Sequence, residues 1–363
     1  GVLADDLLQD VVQRDEPLDV AILVHDQAHA PLAALKFQQL LRQCGAFGDE
    51  VGSADGAFEL LEREFAVGQL RMPGCKADLG LPDMSLAEAR EAGAKTLVIG
   101  VANRGGVIPD SWKAELHTAL EQGFDLASGL HELLRGEGDL VATARAHGRA
   151  LHDVRVPEVK YPIANGVRRS GKRCLAVGTD CSVGKMYTAL AIEKEMLARG
   201  MDARFVATGQ CGILVSGSGI AIDCVVADFI SGAAERLTPD ADPGHWDIVE
   251  GQGSLAHPAF AGVTLGLVHG AQPDALVMCH FEGRPHMRGL PDYPLPGLEA
   301  AMDMHLQAAR VTSPKARFVG VSVNTSALSG AESEAVLARY AAQTGLPCVD
   351  PLRTGVAPIV DCL

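Results

Sequence analysis

The sequence has few aromatic residues, 4% of its 363, and no surplus of positive charge: 31 Lys and Arg stand against 46 Asp and Glu, a formal net charge of −15. Nucleic acid and anionic membrane surfaces are repelled by such a balance, so neither is expected as a partner, although a local cluster of basic residues can still hold a small anion. No apolar run approaches the roughly 20 residues needed to span a bilayer. A basic stretch followed by an apolar run and small residues is also missing from the opening, so a secretory signal is not expected. The nine cysteines form no CxxC pair, which leaves zinc and dithiol chemistry unsupported and favours reduced thiols in the cytoplasm. There is no GxGxxG fingerprint either, so a dinucleotide is not indicated. What is present is an ordinary globular content of hydrophobic residues, 47%, over a length that suggests two domains.

The most informative stretch lies near the middle. An apolar run from Cys174 to Val177 breaks at Gly178 and continues as Thr179, Asp180, Cys181, Ser182, Val183, Gly184 and Lys185. Beyond it Met186, Ala189, Leu190, Ile192, Met196 and Leu197 recur with helical spacing until Gly200. Strand, glycine loop, lysine and helix are the parts of a phosphate cradle: loop N–H groups and the positive helix end face an anion, and the lysine adds a point charge. Two features depart from the usual motif. Five residues, rather than four, separate Gly178 from Gly184, and Met186 stands where a Ser or Thr hydroxyl normally binds Mg²⁺. A thioether is a poor ligand for a hard cation, so no metal is expected. Cys181 and Cys211 lie in glycine-rich segments, where a thiol is less sheltered than in a strand.

Before this loop the pattern predicts helices near 5–14, 31–42, 57–65, 111–122 and 142–147 and one beginning at Ser85, strands near 19–24 and 95–101, and a short strand running into a loop over 124–131. Ser85 and Glu88 have capping-box spacing. The alternation implies a parallel, Rossmann-like sheet over residues 1–155, and the polar, proline-containing stretch 153–169 is the expected junction. Two loops in this half, around Lys76 and Asp78 and around Asn103 and Arg104, mix glycine, proline and charge in a way that suits a binding site.

Residues 156–363 form the second expected α/β domain, a P-loop NTPase-like unit with a mainly parallel sheet. Its strands run out into polar tips: Thr208 to Gly212, Glu250 to Ser254, His280 to Arg288, and Asn324 to Ser326. In a parallel sheet those carboxyl ends share one edge, where ligands bind.

Locally, the stretches 178–185 and 250–254 resemble the two signatures of the dethiobiotin synthetase group. That resemblance implies an acidic residue at Glu250 helping to hold Mg²⁺, and an adenine-reading Asn at Asn324. A longer resemblance covers roughly residues 65–363. It is carried by Cys75–Pro82, Gly100–Pro109, Ser128–His131, Gly178–Thr188 and Ala227–Glu235, and it is to the D-glutamate N-acetyltransferase family. This implies acetyl-CoA as co-substrate, a small amino-acid acceptor and a homodimer. A CoA-binding phosphate loop needs no phosphoryl transfer, which accounts for Met186. Metal through Asp223 and Glu250, or through His280, Glu282 and His286, stays open at this point.

Acetyl transfer to an amine needs a base, an oxyanion donor and a clamp for the acceptor. Glu250, His280, Glu282 and His286 are the candidate acids and bases. Arg284 and Arg288 are the candidate carboxylate clamp, with Lys76, Asp78, Asn103 and Arg104 as further substrate-binding candidates. The cofactor-binding set is the loop from Gly178 to Met186 together with Asn324. The competing readings are an ATP- and Mg²⁺-dependent kinase or ligase, and a CoA- or nucleotide-binding module without catalysis.

Overall fold

The computed structural model describes residues 20–25, 66–72, 81–99, 106–157 and 159–363. The helices expected near 5–14, 31–42 and 57–65, and the candidates Lys76, Asp78, Asn103 and Arg104, lie outside the described residues. The chain divides into two compact units, one ending at Val156 and taking in Ile213–Ser218, the other made of Pro157–Gly212 and Gly219–Leu363.

The first unit contains β1 (Val20–His25), β2 (Ala66–Arg71), α1 (Leu86–Glu91), β3 (Ala94–Ile99), α2 (Asp110–Glu121), β4 (Asp125–Ser128), α3 (Gly138–His147) and β5 (Leu151–Asp153). The sheet order is β2-β1-β3-β4-β5. From β3 through β5 the strands are parallel, joined by α2 and α3 as crossovers. However, β1 runs antiparallel to both β2 and β3, so this sheet is mixed rather than wholly parallel. Apolar spacing reports which face of a strand is buried and carries no information on its direction. The capping box forms as its spacing predicts: Ser85 Oγ accepts the Glu88 N–H at 3.3 Å, and the Glu88 carboxylate accepts the Ser85 N–H at 2.8 Å. Leu97 and Ile99 of β3 and Leu126 of β4 pack with Trp112, Leu116 and Leu120 of α2 and with Phe124 into one core. Each such side chain contributes about 1.5–3 kcal/mol by leaving water.

The second unit opens with an irregular stretch that is tied down by arginines. Arg168 donates to the Gln272 carbonyl at 2.6 Å, and Arg169 donates to that of Thr238 at 2.6 Å. Then follow β6 (Lys172–Gly178), α4 (Lys185–Ala198), β7 (Ala203–Val206), α5 (Gln210–Ser216, whose residues from Ile213 count with the first unit), α6 (Ile230–Leu237), β8 (Trp246–Val249), α7 (Ala261–Ala271) and β9 (Ala275–Phe281). A short antiparallel pair, β10 (His286–Met287) and β11 (Leu290–Pro294), precedes α8 (Leu298–Thr312) and β12 (Arg317–Asn324). The chain closes with α9 (Gly330–Thr344), β13 (Cys348–Val349) and α10 (Ala357–Val360).

Six parallel strands in the order β13-β12-β9-β6-β8-β7 form its main sheet. From β6 the chain moves to β7 on one side and later crosses to β9 on the other. The strand order therefore reverses at β6, and the crevice for a ligand opens at its carboxyl end. Leu175, Val177, Val249, Leu276, Met278 and Val321 are buried with Ile230, Leu267, Val268 and Leu298 in a continuous core. This packing makes the strand ends a rigid platform. Strand β9 runs two residues further than its apolar run suggests, so His280 and Phe281 belong to the strand and Glu282 is the first residue beyond it. Among the described residues no helix is long and apolar enough to cross a membrane.

Candidate active site

The phosphate loop fills that switch point. Gly184 has φ +96°, a left-handed conformation that glycine adopts without strain, and it turns the chain directly into α4. The first turn of any helix leaves N–H groups without helical partners, and here they end the loop. Lys185 is buried, and its ammonium donates to the Asp180 carbonyl oxygen at 2.8 Å, inside its own loop. Desolvation pushes its pKa below the ordinary lysine value. Gly251 supplies the opposite wall: a Cβ there would meet the Ala176 carbonyl oxygen at 1.7 Å and the Lys185 side chain at 3.0 Å. Only glycine lets these two strand ends approach closely enough to hold the lysine stem.

Asp180 organises the loop from within. Its carboxylate is fully buried and accepts the Cys181 N–H at 2.7 Å, the Arg288 N–H at 2.8 Å and the Arg284 guanidinium at 2.8 Å. Arg284 also donates to the carbonyls of Cys181 at 2.7 Å and Ser182 at 3.1 Å, and it lies over the Phe281 ring. The Arg288 guanidinium reaches the Ser182 hydroxyl. Met186 is buried, and the first aliphatic hydroxyl after the lysine, that of Thr188, pairs with Ser322 at 2.7 Å.

Glu250, immediately after β8, is buried beside the lysine. Its carboxylate accepts N–H groups from Thr208 at 2.9 Å and Gly209 at 3.1 Å. Burial pushes its pKa up to about 7, because desolvation outweighs those two hydrogen bonds and the attraction of Lys185. At the tip of β9, the His280 Nδ1 pairs with the Thr179 hydroxyl at 3.0 Å, and its Nε2 lies 3.7 Å from Glu282. Burial pushes the His280 pKa down. Glu282 is held by the Tyr340 hydroxyl at 2.6 Å and by Arg339 at 2.8 Å. Desolvation raises its pKa, but the hydrogen bonds from Tyr340 and Arg339 win and leave it below the ordinary value.

A buried lysine, a helix N-terminus and a carboxylate that titrates near neutrality thus meet at one sheet edge. The family described as a domain of unknown function, DUF1611 P-loop domain, matches residues 162–360, and its Rossmann-like N-terminal counterpart matches residues 70–157. A D-glutamate N-acetyltransferase of Tritonibacter scottomollicae is 60% identical over 300 residues, covering 83% of this chain and 90% of the relative. The chain belongs to the D-glutamate N-acetyltransferase family. A second relative of that name, from a Pseudoalteromonas species, is 52% identical over 297 residues and covers 82% of this chain and 90% of its own. The crystal structure of a DUF1611 family protein from Anabaena variabilis is 35% identical, with a TM-score of 0.71 over 80% of this chain and 84% of that one.

Family membership gives the site candidates a common frame, and the structure sorts them. It brings together the loop from Gly178 to Met186, Glu250, His280, Glu282, Arg284 and Arg288 around one strand end. His286 stands apart: its Nδ1 donates to the Met287 carbonyl at 3.1 Å within β10. Asn324 accepts the Ser326 N–H at 2.9 Å through its side-chain oxygen, at the carboxyl end of β12. Both arginines bind the phosphate loop, and Arg284 spends both terminal nitrogens there. Sequence reasoning gave no individual role to Thr208 or Gln252, which lie in stretches it singled out, and passed over Arg339 and Tyr340, which stand in no motif. Thr208 donates its hydroxyl to the Glu250 carbonyl at 2.7 Å and accepts from Gln252 at 3.1 Å. The only available signal for it was its place at the end of an apolar run.

Proposed function

We propose that the protein transfers the acetyl group of acetyl-CoA to the amino group of D-glutamate, in the cytoplasm and as a homodimer. The names of the two curated relatives support the reaction and the acceptor. One observation supports the donor: a buried lysine whose described hydrogen bond goes only to its own loop, at a helix N-terminus, in a cradle walled by Gly251. An ammonium has three donors, so a phosphate oxygen can take the others. CoA carries phosphates and needs no phosphoryl transfer, which suits a loop with buried Met186 in place of the metal-binding hydroxyl. The described cysteines are free thiols, in keeping with a reducing compartment.

When bound, acetyl-CoA supplies the acetyl group as a thioester and leaves as the thiol. Lys185 and the first-turn N–H groups of α4 hold phosphate. Glu250 takes a proton from the acceptor ammonium, leaving a neutral amine; a base that titrates near the working pH is suited to this. Arg284 braces the loop through Asp180. Arg288, with an exposed side chain and donors to spare, orients an acceptor carboxylate.

The deciding experiment is thiol release from acetyl-CoA and D-glutamate by purified protein without ATP. Silence across D- and L-amino acids, with ATP turnover in Mg²⁺, would replace this reading by a kinase or ligase. Tight CoA binding without turnover would replace it by a binding module. Light scattering checks the dimer.

A further inference from the structure

His257, in the turn between β8 and α7, is 2% exposed and has no part in the chemistry above. Its Nδ1 accepts the backbone N–H of Ala259 at 3.2 Å. An amide N–H only donates, so Nδ1 carries no proton and the neutral ring holds it on Nε2. That Nε2 is buried and has no hydrogen-bond partner among the described residues. A buried donor left unmade destabilises the fold, and native structures satisfy nearly all of them. The ring is packed on Phe260, with centroids 4.5 Å apart, and a ring nitrogen, the Cys181 sulfur and an Asp180 carboxylate oxygen lie within 4.8 Å of one another. The ring that carries the unused donor therefore packs against the phosphate loop.

Two other uses of this cluster fail on the same contact. A metal needs a lone pair on the nitrogen, and so does a base for the Cys181 thiol, but the Ala259 N–H assigns Nε2 a proton. The Asp180 oxygens are moreover already engaged by Arg284 and two backbone N–H groups.

We infer that His257 completes the anion site of the phosphate loop, donating Nε2–H to a phosphate oxygen of CoA. This rests on the reading of the loop as the donor site. A neutral donor adds a contact there without adding charge, and it binds the diphosphate or the 3′-phosphate by the same chemistry.

Calorimetric titration of CoA and 3′-dephospho-CoA into the full-length protein and its variants tests this. His257→Ala should weaken CoA about ten-fold, and His257→Asn, which keeps an N–H, should recover part of the loss. An equal loss for both ligands assigns the contact to the diphosphate. A loss confined to CoA assigns it to the 3′-phosphate. Unchanged CoA affinity in His257→Ala, with binding lost in Lys185→Ala, overturns this inference alone. Unchanged affinity in both variants overturns the donor-site reading itself. A raised KM for D-glutamate with CoA affinity intact also overturns the inference. If His257→Ala does not fold, ¹⁵N-histidine spectra of the wild-type protein decide: the Nε2–H resonance should shift when CoA is added, and an unmoved one counts against the contact.

Discussion

Glu250 and Glu282 are the same residue type, each the first residue beyond its strand, at the carboxyl ends of β8 and β9 on either side of β6. Their environments drive them in opposite directions. Glu250 is walled in, with two backbone N–H groups and a nearby lysine as compensation, and burial pushes it up to about 7. Glu282 keeps more contact with water and accepts from a tyrosine hydroxyl and a guanidinium, which bring it below the usual carboxylate range despite its own desolvation. One carboxylate is arranged to exchange a proton near neutrality, the other to stay charged. Position on the sheet edge does not by itself make an acid or base. The kind of donor around the carboxylate and its access to water do.

The largest effect should come from removing the exchanging group. Glu250→Gln keeps the shape and loses the proton acceptor, so kcat should fall about 10²–10⁴-fold with CoA affinity retained. In the wild-type protein kcat/KM should rise with pH through about 7, and the variant should lack that limb. A variant that loses CoA affinity instead would move Glu250 from the base to the donor site.

The same carboxylate should leave a mark on stability. Its folded pKa, about 7, lies above its ordinary value of 4.5. The folded protein therefore holds this proton more tightly than the unfolded chain. The resulting stability is fully present below about 4.5 and is lost as pH rises to about 7, in total on the order of 3 kcal/mol. Denaturant titrations at pH 4.5 and 7.5 should show this difference shrinking in Glu250→Gln.

The acceptor contact ranks next. Arg288→Ala should raise KM for D-glutamate roughly ten-fold with kcat nearly kept, an exposed guanidinium being worth less than a buried one. Steady-state kinetics with unchanged KM would end the clamp assignment.

The comparison was only partly legible in the sequence. Both glutamates stand at the ends of apolar runs, and the parallel sheet of the second unit put them on one edge. Their opposite tuning was not legible, because the donors come from Thr208 and Tyr340, 42 and 58 residues away in the chain. Arg284 and Arg288 sit close to His280 in sequence, which suggested a carboxylate clamp. The structure turns both onto the loop, since the turn before β10 folds back over Asp180. The glycine loop and the Ser85 cap were readable because they depend on neighbours in sequence. The antiparallel placement of β1 was not, because strand direction leaves no trace in residue spacing.

The smallest effect should follow from the restraint on Glu282. Tyr340→Phe removes one hydrogen bond and should cost about 1 kcal/mol of stability at most, with activity within a few-fold of wild type. Thermal denaturation and thiol-release rates check both. A collapse of kcat instead would mean that the Thr179–His280–Glu282 chain carries the proton, and Glu282 would join the reacting groups.

The lysine folded onto the Asp180 carbonyl oxygen also sets a threshold for what the loop will hold. An incoming anion does not meet a bare cation. It must share the ammonium with an acceptor tethered to the same few residues, whose effective concentration never falls with dilution. Chloride or acetate, offering one weak contact, gains too little to win that competition. A ligand that engages several loop N–H groups at once gains enough, and the internal acceptor then acts as a filter against small monovalent anions.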